Sequence, residues 1–255
     1  MLLAVDVGNT QTHLGVYQDA ELVEHWRFAT ARHATADQLA IEVAALLRLR
    51  GAGFADVEAT IVSSVVPTLA QEYEQLIERY LRGAGVLLGP GLSTGMAIRI
   101  DNPLELGPDR LANAVAAYER VGAPCIAVDF GTALNYDVVS ATGEYLGGVI
   151  SPGIEISLEA LSQRAARLPR VDLEPPRSAI GKGTRQAIQS GVIFGYAGSV
   201  DGIVRRLREE LGEEATTIAT GGFAHAVVPC CEEVDETDDL LTLEGLRLIW
   251  ERNRP

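Results

Sequence analysis

Two stretches of this chain repeat one another, and the repeat limits the available folds more than any single motif does. Leu2 to Val16 reads LLAVDVGNTQTHLGV, and Cys125 to Val139 reads CIAVDFGTALNYDVV. In each, an apolar strand runs into a turn containing an aspartate, a glycine and a threonine, and then returns as a second strand. Ala4-Val5-Asp6 followed by Gly8 aligns with Ala127-Val128-Asp129 followed by Gly131, at an offset of 123 residues. A repeat of this kind predicts two related α/β lobes, each opening on the same hairpin. The boundaries it suggests are 1–114 for an N-terminal lobe and 115–240 for a C-terminal lobe, with 241–255 as a helix that can pack back on the first.

A strand-turn-strand rich in glycine and hydroxyl residues aims several backbone N–H groups into one concavity, a preformed site for phosphate oxygens. An aspartate beside such a cradle repels the anion unless a cation lies between them, so Asp6 and Asp129 point to bound metal as well as phosphate. Together the two turns read as a two-lobed nucleotide clamp. Either turn alone would be an ordinary hairpin.

The net charge of −14 and a pI near 4.7 argue against long-range attraction to nucleic acid or an anionic membrane. Phosphate recognition must therefore be local. No apolar run is long enough to span a bilayer and no basic leader opens the chain, which gives a cytoplasmic expectation. Three cysteines, two of them adjacent (Cys230, Cys231), suit reduced thiols better than disulfides or zinc, and His225 beside them reads as a structural histidine.

Between the hairpins, strands are expected over 21–30, 59–66 and 85–88. A helix opened by the capping box Thr35-x-x-Gln38 should run to about Gly51, and another should run from Pro67 to about Arg82. A further helix begins near Gly107-Pro108-Asp109-Arg110 and places an aspartate and an arginine in its first turn. In isolation the favoured reading is plainer: Asp109 complements the helix dipole and Arg110 is a surface cation. After the second hairpin come a strand region to Ile150, a helix to about Ala166 and a loop from Leu168 to Ser178. A long helix capped by Thr184 then reaches Arg208, with Gly191, Gly195 and Gly198 marking close packing or a kink. A strand over 215–219 leads into Gly221-Gly222, where the lack of side chains fits an adenine or ribose contact. Leu241 to Trp250 is an amphipathic helix.

Asp6-Val7-Gly8-Asn9-Thr10, Gly107-x-Asp109-Arg110, Asp129-Phe130-Gly131-Thr132 and Gly148 through Gly153 resemble, in order and spacing, the type III pantothenate kinases. The resemblance spans nearly the whole chain. It implies two ribonuclease-H-like lobes of the acetate and sugar kinase, Hsp70 and actin superfamily, and ATP-dependent phosphorylation of pantothenate, the first committed step toward coenzyme A. It further implies that Asp6, Val7, Gly8, Asn9, Thr10, Gln11, Thr12 and His13 hold the ATP phosphates, with Asp6 near magnesium and Thr132 a phosphate contact from the second lobe. Asp109 would be the general base. Ile100, Gly107, Pro108 and Arg110 would line the pantothenate site, with Arg110 meeting the carboxylate. Asp129 would bind potassium or ammonium, and Thr184 would reach pantothenate across a homodimer interface.

Two positions depart from the family pattern. Leu134-Asn135 stand where Thr-Thr is usual, and Ile100 replaces a common aromatic residue. The competing readings are a superfamily kinase for another small acceptor and a non-catalytic nucleotide-binding regulator.

Overall fold

In the computed structural model, 1–122, 124–165, 169 and 171–254 are described. The expected helix end at Ala166 and loop start at Leu168 lie outside those residues. By their contacts the residues fall into two units. The first contains Met1–Met96, Asp101–Ala116 and the C-terminal segment from Leu241; the second contains Ala97–Ile100 and Ala117–Leu240.

In the first unit, β1 (Leu2–Val7), β2 (Gln11–Gln18) and β3 (Glu21–Ala29) form an antiparallel meander. The chain then crosses through α1 (Ala36–Leu49) to β4 (Ala59–Ser64), parallel to β1, and through α2 (Pro67–Tyr80) to β5 (Ala84–Leu87). The sheet order is β3-β2-β1-β4-β5. Helix α1 begins where the sequence places it, because Thr35 and Gln38 close both halves of the capping box. One face of the sheet buries Leu3, Val5, Leu14 and Val62 with Leu39, Val43, Leu69 and Tyr73 of the two helices. Alternation along the strands sends Ala4, Asp6, His13 and Gly15 to the other face.

In the second unit the same path recurs. Strands β6 (Cys125–Phe130), β7 (Ala133–Val139) and β8 (Tyr145–Pro152) form the meander, and β9 (Thr216–Thr220) and β10 (Glu236–Thr237) add in parallel, in the order β10-β9-β6-β7-β8. The first turn, Gly8–Thr10, is one residue longer than the second, Gly131–Thr132, so past the turns the repeat offset falls from 123 to 122. At that corrected offset the register irregularity at Val16/Tyr17 in β2 falls on the one at Val138/Val139 in β7. Such bulges bend a strand at a defined place, so the two sheets share their curvature as well as their topology.

Helix α3 (Pro108–Val121) follows the first unit's strands. In the second unit α4 (Ile154–Arg164), α5 (Thr184–Leu211) and the short α6 (Ala224–Val227) follow β8 and β9, and α7 (Leu241–Arg252) ends the chain. Two expectations for α5 need correction. Its N-cap is Gly183, with no side-chain cap bond, so Thr184 is the first helical residue and leaves no hydroxyl cap. The helix is continuous, and a Cβ at Gly191, Gly195 or Gly198 would meet open space, so these glycines neither interrupt it nor pack closely against other described residues. His225 is exposed, not buried as a structural histidine would be.

Helix α7 packs on the Asp6 face of the first sheet: Leu243 presses on Gly15, and Leu243, Leu246 and Ile249 are fully buried. It also sets the position of α3. A Cβ at Gly245 would lie 2.0 Å from the Ala112 carbonyl oxygen, and the Thr242 hydroxyl donates to Asn113 Oδ1 at 2.7 Å. Gly245→Ala is therefore expected to cost about 1–3 kcal/mol of stability, because backbone and not a flexible side chain stands in the way. Thermal denaturation checks this, and an unchanged midpoint would mean that α7 and α3 separate without penalty.

Candidate active site

The first of the two turns predicted to hold phosphate is closed by the Gly8 N–H, which donates to the Gln11 carbonyl at 3.0 Å; a Cβ at Gly8 would come 2.8 Å from the same oxygen. The next three carbonyls all face the end of β3. The Thr30 hydroxyl donates to the Gly8 carbonyl at 2.9 Å, Arg32 donates to the Asn9 carbonyl at 3.1 and 3.3 Å, and the Thr30 N–H donates to the Thr10 carbonyl at 2.9 Å. In a trans peptide the carbonyl and the following N–H point in opposite directions. The N–H groups of Asn9, Thr10 and Gln11 therefore face away from β3, as an anion-receiving turn requires.

Not every residue of the predicted phosphate block presents its side chain there. Asn9, Thr10 and Gln11 are exposed at the turn, whereas Val7 is wholly buried and Thr12 spends its hydroxyl on Thr30 at 2.9 Å. His13 stacks edge-on to His25, with Nε2 3.2 Å from the His25 Nδ1. Burial first, then the charges of Arg27 and His25, lower its pKa to about 4, so it is a neutral imidazole and adds no positive charge.

Asp6 pairs in register with His13 on one side and Ser63 on the other, which puts all three side chains on the face that carries α7. The Ser63 hydroxyl is fully buried and has no hydrogen-bond partner among the described residues. A carboxylate with an unsatisfied hydroxyl alongside suits a hydrated divalent cation, which magnesium is, since it keeps most of its waters and takes few protein ligands. Among the described residues no group of three His, Cys, Asp or Glu side chains is placed to hold a metal.

The first turn of α3 shapes the expected base. Asp109 Oδ1 accepts the Arg110 N–H at 2.8 Å and lies back over Gly107, where a Cβ would come 2.5 Å from that oxygen. Gly107 thus has a packing reason that the sequence did not reveal: any side chain would displace the carboxylate. Asp109 is half-buried, and desolvation of its carboxyl raises its pKa, while the Arg110 N–H and guanidinium pull it down without cancelling the rise. Ile100 belongs to the second unit, where its side chain lies against Gly147 of β8.

In the second unit, Asp129 ends β6 opposite Asn135. Gly221, at φ +95°, lies so close that a Cβ would be 2.5 Å from Asp129 Oδ1 and 2.7 Å from the Phe130 backbone; Gly222 is exposed. A Cβ at Gly153 would fall 2.2 Å from the Thr132 carbonyl oxygen. Gly153 precedes α4, so the positive end of that helix begins beside the second turn, where an anion is favoured. Asp129, packed between two glycine turns, offers the hard oxygen donor that potassium or ammonium would need. Thr184 is exposed at the start of α5.

The family model for type III pantothenate kinase matches residues 2–206. The chain belongs to that family. Type III pantothenate kinases from Myxococcus xanthus and Halalkalibacterium halodurans are 49% and 46% identical to it, each over 99% of this chain and at least 99% of their own length. Among solved structures, component A of the Acidaminococcus fermentans (R)-2-hydroxyglutaryl-CoA dehydratase shares the fold at a TM-score of 0.53 and 14% identity, covering 99% of both chains. The ROK hexokinase of Thermus thermophilus does so at 0.50 and 16%, covering 97% of both. The two units of like strand order expected from the repeat are therefore found, in a fold that these proteins share.

Proposed function

We infer that this chain transfers the γ-phosphoryl group of ATP to the primary hydroxyl of pantothenate, the reaction of its family, and that Asp109 accepts the hydroxyl proton. The observation that carries the role of Asp109 is its carboxylate, desolvated yet fixed at the start of α3 by the Arg110 N–H over a side-chain-free Gly107. Desolvation moves a carboxylic acid toward the pH at which general-base catalysis works. Arg110, next to it, is the cation for the pantothenate carboxylate.

Phosphoryl transfer passes through a loose transition state that needs alignment and charge compensation more than covalent help. The amides of the Gly8 turn supply alignment, and Thr132 a further phosphate contact. Magnesium at Asp6 and potassium or ammonium at Asp129 would supply charge compensation when bound. Gly221 and Gly222 remain the proposed adenosine contact. A coupled assay with ATP, magnesium, potassium and a panel of hydroxyl acceptors tests the reading. Turnover confined to pantothenate is the expected result, and preference for another acceptor would overturn it.

The same reading makes the protein a cytoplasmic homodimer without nucleic-acid or membrane partners. All three cysteines are thiols, as a reducing compartment favours, and no described helix is long and apolar enough to cross a membrane. Ala187, Gly191, Phe194, Gly195 and Gly198 are exposed along one side of α5, a surface of small residues and one aromatic that a second copy can cover closely. Sedimentation at micromolar concentration is expected to show dimers, and a fully active monomer would sink the placement of Thr184 in a shared site.

A further inference from the structure

We propose that Arg32 is a positioning residue for ATP: it fixes the orientation of the Gly8–Gln11 turn through Asn9, without needing to touch the nucleotide. The proposal rests on the reading of that turn as the phosphate site. Its basis is the direction of the bonds already described. Three successive turn carbonyls are drawn toward the end of β3. The two outer ones are held by Thr30, and the central one, at Asn9, is held by Arg32.

The guanidinium makes a fork. Nε and Nη2 both donate to the Asn9 carbonyl, at 3.3 and 3.1 Å, and Nη2 also donates to Asn9 Oδ1 at 3.2 Å. One planar group thereby fixes the backbone and the side chain of the same residue. The Asn9 carbonyl belongs to the peptide that carries the Thr10 N–H, so holding that oxygen toward β3 holds the Thr10 N–H away from it, toward the anion. Arg32 is itself braced, because the Thr68 hydroxyl at the start of α2 donates to the Arg32 carbonyl at 3.4 Å. If this peptide rotated by half a turn, it would present a carbonyl oxygen to the phosphates and turn attraction into repulsion.

Arg32 is exposed, so its replacement should leave the fold intact. Arg32→Ala is expected to weaken ATP binding roughly tenfold, as loss of a forked hydrogen bond would, with KM for pantothenate and the thermal midpoint unchanged. Arg32→Lys separates orientation from charge. A lysine restores the positive charge near the turn but cannot span the carbonyl and Oδ1 together. Under the proposal it behaves like the alanine variant; full recovery of ATP affinity with lysine would show that charge alone matters and overturn the proposal.

Calorimetric titration with a non-hydrolysable ATP analogue and magnesium reads affinity without turnover. Gly8→Val, which would force a side chain onto the Gln11 carbonyl, is the control for the underlying reading. If Gly8→Val abolishes binding while Arg32→Ala does not change it, the proposal alone fails. If neither variant changes binding, the turn is not the phosphate site, and both fall.

Discussion

Asp109→Asn is expected to lower turnover by roughly two to four orders of magnitude while leaving ATP affinity nearly unchanged, since general-base catalysis is typically worth that much. Asparagine keeps the size of the side chain and an oxygen for the Arg110 N–H, but it cannot take a proton at neutral pH. Two pH effects should accompany the loss. In the wild-type protein kcat/KM falls as pH drops through the raised Asp109 pKa, because the base must be ionised, and the variant should lack that acid limb. Stability runs the other way. A carboxyl whose folded pKa is raised above its unfolded value favours the folded state most at low pH, and that contribution is lost as pH rises from the ordinary value through the raised one. Above the raised pKa the ionised Asp109 is therefore a cost, and there the asparagine variant should melt at the same temperature or higher. Single-turnover phosphorylation and thermal denaturation measured together test this. A near-normal rate would reject Asp109 as the base, and a collapsed midpoint would assign it to structure instead.

Much of the framework behind this prediction was legible in the sequence, for identifiable physical reasons. The hairpin repeat survives as a pattern because both copies use the same strand residues and the same turn chemistry, and it translates into two sheets with one strand order. The capping box at Thr35 was readable because both of its partners lie within four residues. What stayed hidden depends on contacts distant in sequence. Gly245 looks like a weak point in an amphipathic helix until Ala112 appears against it, and Arg32 is an unremarkable surface cation until Asn9 does. Thr12 and His13 illustrate the opposite problem. They belong to the contiguous motif, but strand alternation and pairing with β3 turn their side chains to Thr30 and His25. Helix α5 misled for a third reason: its glycines read as close packing or a kink, but among the described residues a Cβ at each of them meets open space.

Replacing potassium by tetramethylammonium at equal ionic strength is expected to abolish turnover, and Asp129 is the residue through which the cation would act. A carboxylate about 5 Å from phosphate oxygens repels them by several kcal/mol at the intermediate dielectric of a protein surface, enough to defeat binding unless a counter-ion sits close by. Tetramethylammonium screens as well as potassium in bulk, but its methyl groups keep it from coordinating an oxygen, so holding ionic strength constant isolates site binding from screening. The packing around Asp129 supplies a rival explanation. Gly131 and Gly221 both lie against Oδ1, and the carboxylate could serve only to hold the Gly221 turn against β6. Thermal denaturation separates the two. If potassium binds the folded protein, the midpoint should climb with its concentration in the wild type, following the population of bound sites, and Asp129→Asn should remove that dependence while keeping most of the packing. Equal rates in the two salts, together with a midpoint that ignores potassium, would make Asp129 a structural residue of the second turn and leave magnesium to balance the phosphate charge alone.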